Sequence, residues 1–138
     1  GFHNINKYES INSIILNESE LRQELRDNNS DIKYLAKKMR KNKKIQNLII
    51  TRGASGAILV NKMNKVFSCP GFAKKSIDKV GAGDAMLSLA SLGLKLKLEP
   101  ELVLFFSSLA AAISVESIGN KEHVTYDKLD RVLEYMLK

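Results

Sequence analysis

The sequence predicts an α/β domain in which a mostly parallel sheet is flanked by helices. Short apolar runs are typical of buried strands, and the segments between them carry apolar residues at helical spacing. With 138 residues, the chain is long enough for a single domain with a real core and too short for two. Parallel sheets bind ligands at the carboxyl ends of their strands. We therefore expect the polar loops that follow the predicted strands to meet.

The first elements are a strand over residues 13–16 and a helix over 18–27. The polar segment 28–30 breaks that helix. Ser30 or Asp31 then caps a second helix, whose apolar positions keep the helical spacing.

Two further strands are predicted over residues 47–51 and 57–60, and glycines turn the chain between them. A tight connection at 61–64 leads to a short strand over 65–68, which makes a hairpin. Residues 72–77 are expected to be extended.

The last part of the chain reads as three helices. The first covers 82–96 and is apolar nearly all round, so we expect it to be buried. Pro100 begins the second, which runs to about Ile118 and stops at Gly119. Thr125 caps a final amphipathic helix.

Composition excludes several classes of protein. The apolar share of 44% and the charged share of 27% are ordinary for a globular domain, and no apolar run is long enough for a membrane span. No signal peptide is visible. The lone Cys69 cannot form an internal disulfide, so a cytoplasmic location is the default expectation.

The formal charge is +7, and six of the cations lie between residues 37 and 44. Nucleic-acid binding is one interpretation of this run. A solvated helix face with cations near the negative end of the helix dipole is the one we favour, because no aromatic residues are interleaved for base stacking. We expect neither a nucleic acid nor a membrane as partner.

A glycine-rich loop at residues 78–84 comes directly before the apolar helix. Glycine lets the backbone approach a ligand closely, and a helix start presents unpaired N–H groups that attract a phosphate. Asp84 stands in the first turn, where its carboxylate could take a proton from an attacking hydroxyl. The loop thus points to phosphoryl transfer to an alcohol, with a tight turn and a helix-capping acid as the plain alternative.

Two other polar loops follow strands. Asn17 and Glu20 suit Mg²⁺ held through water, although an ordinary capping box explains them as well. In the segment 51–56, glycines leave room for a nucleotide and Arg52 can pair with phosphate; a glycine-rich turn is the alternative.

Together these loops resemble the ribokinase-like (PfkB) carbohydrate kinases. The family's Asn-x-x-Glu, Thr-x-Gly-x-x-Gly and Asp-Thr-x-Gly-Ala-Gly-Asp motifs occur in family order, with Lys79 in place of the Thr of the last motif. The resemblance spans about residues 14–137 and implies a partial ribokinase-like layered fold. It also implies ATP and Mg²⁺ as cofactors.

The resemblance assigns roles to single residues. The anion hole and the catalytic base are Gly81, Ala82, Gly83 and Asp84. The nucleotide-binding residues are Asn17, Glu20, Thr51, Arg52, Gly53, Gly56 and Ser108, and Asn17 and Glu20 also hold Mg²⁺ through water. Asp78, Val80, Ser114 and Gly119 fall near the family's monovalent-cation loop, which implies K⁺. Val80 stands where many members have Thr, and this counts against potassium activation.

The resemblance makes residues 1–138 the C-terminal portion of a PfkB-type kinase, without the N-terminal sugar-binding half and its lid. The implied function is ATP-dependent phosphorylation of a sugar or sugar phosphate. The form of residues 78–84, taken with residues 117–120, resembles the heptose-phosphate kinase branch. On its own the chain is expected to be inactive and to self-associate, with the missing half as its natural partner. A nucleotide-binding regulatory or pseudo-kinase module is the alternative, although an intact Asp84 counts against it.

Overall fold

The computed structural model describes residues 11–73, 81–115 and 125–136. The chain divides into two compact units, Gly1–Pro70 and Gly71–Lys138. The single domain expected from the chain length stays a prediction.

The first unit contains four strands and two helices, and it confirms the predicted order of elements. They are β1 (Ser13–Asn17), α1 (Glu18–Leu25), α2 (Ile32–Asn42), β2 (Asn47–Thr51), β3 (Ala57–Val60) and β4 (Val66–Cys69). The strand and helix bounds predicted above shift by at most about two residues, which is the usual uncertainty at element ends.

The four strands form one sheet in the order β1-β2-β3-β4. β1 and β2 are parallel, whereas β2–β3 and β3–β4 are antiparallel. The sheet of this chain is therefore mixed rather than mostly parallel. The reason is connection length, because the few residues between Thr51 and Ala57 can only reverse the chain, whereas a parallel pair needs a long crossover such as α1–α2.

Helices α1 and α2 pack on the sheet and close the core of this unit. Leu21 from α1, and Leu35 and Met39 from α2, are fully buried against Leu48 and Ile50 of β2. The apolar spacing of α2 that predicted a helix is thus the spacing of its buried face.

Local hydrogen bonds fix where these helices begin. Asp31, not Ser30, caps α2: its Oδ1 accepts the N–H groups of Lys33 and Tyr34 at 2.9 and 3.0 Å. Ser30 instead donates its hydroxyl to Asp27. The sequence left both capping candidates open. The Asp31 bonds to the start of α2 identify Asp31 as the cap, because the Ser30 hydroxyl is bonded to Asp27.

The predicted β3–β4 hairpin is confirmed, and a buried asparagine shapes its turn. The Asn61 side-chain oxygen accepts the N–H groups of Met63 and Lys65, and Asn64 adopts a left-handed φ of 61°. Asparagine tolerates this conformation better than other non-glycine residues, which explains its presence at the turn.

The second unit contains α3 (Ala82–Lys95), α4 (Pro100–Val115) and α5 (Tyr126–Met136). α4 begins at Pro100 as predicted, while its expected end at Ile118 and Gly119 lies outside the described residues. Within the described part of the chain, no helix combines the length and apolar character needed to cross a membrane.

The expectation that α3 is buried all round is wrong. Leu87 is 43% exposed and Leu92 is 53% exposed, whereas Met86, Ala90 and Gly93 are buried. α3 therefore has one buried face, and the apolar residues on its other faces meet solvent in this chain.

Gly93 of α3 lies close against Val103 of α4. A methyl group added at Gly93 would stand 3.1 Å from the Val103 Cγ2 atom and 3.7 Å from the Val103 Cα atom. The missing side chain thus lets the two helices pack tightly.

We predict that Gly93→Leu destabilises the fold by about 1–3 kcal/mol, because the larger side chain must push against the α4 backbone. Gly93→Ala should be nearly neutral, since a gain of up to about 1 kcal/mol in helix propensity offsets the tight contact. Denaturant unfolding measures both, and Ser91→Leu on the exposed side of α3 is the matched control. Equal midpoints for Gly93→Leu and Ser91→Leu would contradict the packing role.

The exposed leucines predict self-association of the isolated chain. Leu92 and Leu96 are both more than half exposed, and apolar side chains of this size are driven out of water. Light scattering over a range of concentrations should show species larger than a monomer, and the double variant Leu92→Lys, Leu96→Lys should reduce them. A parent chain that stays monomeric at high concentration would refute this prediction.

Candidate functional site

The carboxyl ends of β1 and β2 bring two of the polar loops together. In the parallel register Asn17 pairs with Thr51, so each motif begins at the same edge of the sheet. The expectation that loops after parallel strands meet is confirmed for this pair.

A capping box connects Asn17 and Glu20. The Asn17 Oδ1 atom accepts the Glu20 N–H at 2.8 Å, and the Glu20 Oε2 atom accepts the Asn17 N–H at 2.8 Å. The structural interpretation of these two residues is therefore correct, whatever else they do. The same bonds hold an amide and a carboxylate side by side at the start of α1.

The loop after β2 is a closed turn built on two glycines. Gly53 and Gly56 have φ values of 56° and 81°, and the Arg52 N–H donates to the Gly56 carbonyl at 2.7 Å. Both glycines occupy backbone conformations that other residues rarely adopt. A methyl group added at Gly53 would meet no heavy atom within 4 Å, so the space beside the loop is open.

The Arg52 side chain forms an ion pair with Glu18 beside this loop. Its Nε atom donates to the Glu18 Oε2 atom at 3.0 Å, while Arg22 donates through Nε and Nη2 to the other oxygen, Oε1, at 3.0 and 2.8 Å. These bonds hold the pKa of the Glu18 carboxyl below its ordinary value. The bonds from Arg22 lower it most, and the bond from Arg52 comes second. Glu18 is thus ionised at neutral pH and bridges two arginines.

Glu18 is a residue of this region that the motifs did not single out. The signal was available in the register: because Asn17 pairs with Thr51, the following residues, Glu18 and Arg52, are neighbours of opposite charge. The pairing could be found only once the strand alignment was known.

The second unit contains the glycine-rich helix start. Gly81 is the N-cap of α3 with a left-handed φ of 86°, and its conformation allows the chain to turn directly into the helix. No side chain caps this end among the described residues. Within the part of the chain that the structure describes, the first N–H groups of α3 are therefore available to a ligand.

Gly83 and Asp84 follow in the first turn of α3, and both are exposed. A methyl group at Gly83 would meet no described heavy atom within 4 Å, so packing among the described residues does not require glycine here. No hydrogen-bond or ion-pair partner of the Asp84 carboxylate occurs in the described ranges. Within these ranges the Asp84 side chain therefore does not cap α3.

Ser108 lies in α4 and is 8% exposed. Its hydroxyl has no hydrogen-bond partner in the described part of the chain, although a buried hydroxyl normally has one. Ser114 is also buried in α4, while Asp78, Val80 and Gly119 lie outside the described residues.

The predicted site residues thus fall into two groups. Asn17, Glu20 and the 51–56 loop lie together in the first unit, whereas Gly81–Asp84 and Ser108 lie in the second. In residues 11–73, 81–115 and 125–136, no three His, Cys, Asp or Glu side chains come together as a metal-binding group.

A comparison with family models decides what these motifs belong to. The model described as "pfkB family carbohydrate kinase" matches residues 5–125, which is most of the chain. The chain belongs to this family. A curated relative, the bifunctional protein HldE of Koribacter versatilis (strain Ellin345), is 34% identical over 104 residues, covering 75% of this chain and 21% of HldE.

Solved structures show that the pfkB chain has the ribokinase-like fold. Phosphofructokinase-2 of Escherichia coli, in complex with potassium, superimposes with a TM-score of 0.80 and 20% identity over 94% of this chain. Arabidopsis thaliana ribokinase, complexed with ribose and ATP, gives a TM-score of 0.80 and 21% identity over 91% of this chain. The predicted ribokinase-like α/β fold is confirmed, with a mixed sheet in place of the mostly parallel one.

The chain spans 42% of each of these two structures and about a fifth of the HldE protein. The chain therefore corresponds to only part of each of those proteins. The activity of the whole protein is therefore a matter for proposal.

We predict that Gly83→Val abolishes binding of Mg²⁺-ATP while the protein stays folded. The valine side chain would fill space that is open in the structure and would block the amides at the α3 start. Calorimetry measures the binding, and circular dichroism follows the fold. Ser91→Val, two turns along the same helix and also exposed, controls for the general effect of a β-branched apolar side chain on α3. Unchanged ATP binding in Gly83→Val would refute a phosphate site at this helix start.

Proposed function

We propose that the protein carrying this chain transfers the γ-phosphoryl group of ATP to a hydroxyl of a sugar or sugar phosphate. The observation that supports this best is the start of α3, where N–H groups follow a left-handed glycine and lie beside the Asp84 carboxylate, both without a side-chain partner in the described residues. An anion site and a base next to each other are what phosphoryl transfer to an alcohol requires.

In this proposal Asp84 is the general base. The acceptor hydroxyl oxygen forms a bond to the γ-phosphorus while the Asp84 carboxylate takes its proton. The bond from phosphorus to the bridging oxygen breaks, and ADP leaves. The amides of Gly81, Ala82, Gly83 and Asp84 stabilise the negative charge on the transferring group, which needs positioning more than covalent help.

The first unit is proposed to hold the nucleotide. The open loop at Thr51, Gly53 and Gly56 would lie against ATP, and Asn17 and Glu20 would hold Mg²⁺ through water. An amide and a carboxylate fit this ion, because Mg²⁺ prefers oxygen ligands and keeps several waters. When bound, Mg²⁺ neutralises charge on the phosphates, and the capping box keeps both side chains in place for it.

Ser108 fits a role beside the adenine ring. A buried hydroxyl without a partner in the described chain can donate to or accept from a ring nitrogen or amino group. K⁺ as a further cofactor rests on family resemblance and on the potassium complex of the E. coli kinase. The heptose-phosphate acceptor suggested by residues 78–84 and 117–120 stays a prediction, and residues 78–80 and 117–120 lie outside the described ranges.

A nucleotide-binding module without turnover is the second candidate. The chain spans 42% of the solved kinases it resembles. The isolated chain is accordingly expected to bind nucleotide weakly and to release no ADP. The two candidates can be separated by adding the remainder of a pfkB kinase and assaying ADP release. Turnover should appear if this chain is part of an active kinase, and it should not appear if the chain is a regulatory module.

We predict that Asp84→Asn lowers kcat of the complete enzyme by about 10²- to 10⁴-fold, or roughly 3–5 kcal/mol in the barrier. The amide keeps the shape of the side chain but cannot accept the proton. The Kd for Mg²⁺-ATP should change little, because amides and the metal ion hold the phosphates. Steady-state kinetics and calorimetry give the two quantities.

Asp127→Asn is the matched control, since Asp127 is also an exposed acid in the first turn of a helix in the same unit. It reports the effect of losing a charge at a helix start, which is typically below about 1 kcal/mol. If Asp84→Asn behaves like this control, Asp84 is a dipole partner and not the base. If kcat and ATP affinity collapse together, its role is structural.

A further inference from the structure

We propose that Glu18 is a positioning residue that fixes the nucleotide loop, residues 51–56, against the first turn of α1. This inference rests on the proposed nucleotide site. It concerns a residue that none of the three motifs assigns, and it predicts that ATP affinity depends on a side chain that does not touch ATP.

The geometry forms a chain of bonds within the first unit. The Ser30 carbonyl accepts from Arg22 Nη1 at 3.0 Å, Arg22 donates to Glu18 Oε1, and Glu18 Oε2 accepts from Arg52 at 3.0 Å. Both carboxylate oxygens are therefore engaged. Arg22, held at Ser30, keeps the carboxylate turned toward the loop.

The ion pair continues a connection that the sheet begins. The ladder between β1 and β2 ends at the Asn17–Thr51 pair, and the chains then separate into α1 and the loop. Glu18 and Arg52 join them one residue further on. The Asn17–Glu20 capping box and the 51–56 loop are thereby held as one body.

Partial burial makes this pair more effective than one at the surface. The Glu18 and Arg52 side chains are both about two-thirds buried, so water screens their attraction less. Arg52 also supplies the backbone N–H that closes the loop onto the Gly56 carbonyl. Holding its side chain therefore restrains the turn that is proposed to lie against the nucleotide.

The competing role for Arg52 predicts the opposite result. If Arg52 binds phosphate directly, Glu18 competes with the nucleotide, and removing the Glu18 charge should tighten ATP binding. If Glu18 positions the loop, removing the charge should weaken binding. The sign of the change in affinity separates the two.

The test is Glu18→Gln in the complete enzyme, which preserves size and removes the charge. We expect the Kd for Mg²⁺-ATP to rise about two- to fivefold, the range typical of a partly exposed ion pair, with kcat within about twofold of the parent. By NMR, the Arg52 and Gly56 amides, whose bonds close the loop, should exchange faster with solvent. Glu24→Gln is the matched control, because Glu24 lies on the same helix and pairs with Lys43 at 3.9 Å, away from the loop.

A double-mutant cycle tests whether the two side chains act together. Arg52→Gln should raise the Kd by a similar factor, and the double variant should be no worse than either single one. Additive effects, an unchanged Kd or tighter binding in Glu18→Gln would each overturn the proposal.

Failure of the proposed function looks different. If the parent enzyme does not bind Mg²⁺-ATP, the nucleotide site itself is wrong, and amide exchange alone then decides whether Glu18 fixes the loop. Faster exchange in Glu18→Gln but not in Glu24→Gln would support the restraint, and equal exchange would overturn it.

Discussion

The parallel pairing of β1 with β2 is the constraint on which the first unit depends. Parallel strands place their carboxyl ends at one edge, so Asn17 and Thr51 become neighbours although 34 residues separate them. The crossover that makes the pairing parallel also supplies α1 and α2, whose buried faces complete the core. Motif contact and core formation are consequences of the same topology.

The second unit depends on a different constraint, the sharp entry of the chain into α3. A left-handed glycine at the N-cap replaces the side-chain cap that begins α1 and α2. A side-chain cap satisfies N–H groups at a helix start, whereas Gly81 leaves them to other partners. The capped starts of α1 and α2 thus stabilise their helices, whereas the start of α3 is available for binding an anion.

Sequence reasoning recovered the parts of this molecule that local chemistry determines. Strands appear where apolar runs occur, the β3–β4 hairpin lies where Asn61 and Asn64 permit a turn, and α4 begins at a proline. The direction of β3 was not evident from its apolar run, because strand direction follows from the length of the connection. The exposure of Leu92 was missed for a related reason, since a helix that is apolar on all sides does not reveal which side is covered.

The candidate site shows the same division between local and long-range information. The glycines and acids at helix starts could be recognised as motifs in the sequence. The capping box of Asn17 and Glu20 was also predicted, as the alternative to a Mg²⁺ site. The Glu18–Arg52 pair joins residues far apart in sequence and could be found only after strands were aligned. The register of two strands therefore carries information about the loop that no single motif contains.

The capping box at Asn17 and Glu20 has a consequence for how related sequences are interpreted. Because these side chains hold the start of α1, a descendant that had lost catalysis would still be selected to keep them for stability. Asp84 makes no such capping bond among the described residues, so under the proposed function its role as the base is what selection would preserve. Under the proposed function, a relative that has lost turnover but still binds nucleotide should therefore change at Asp84 before it changes at Asn17 or Glu20.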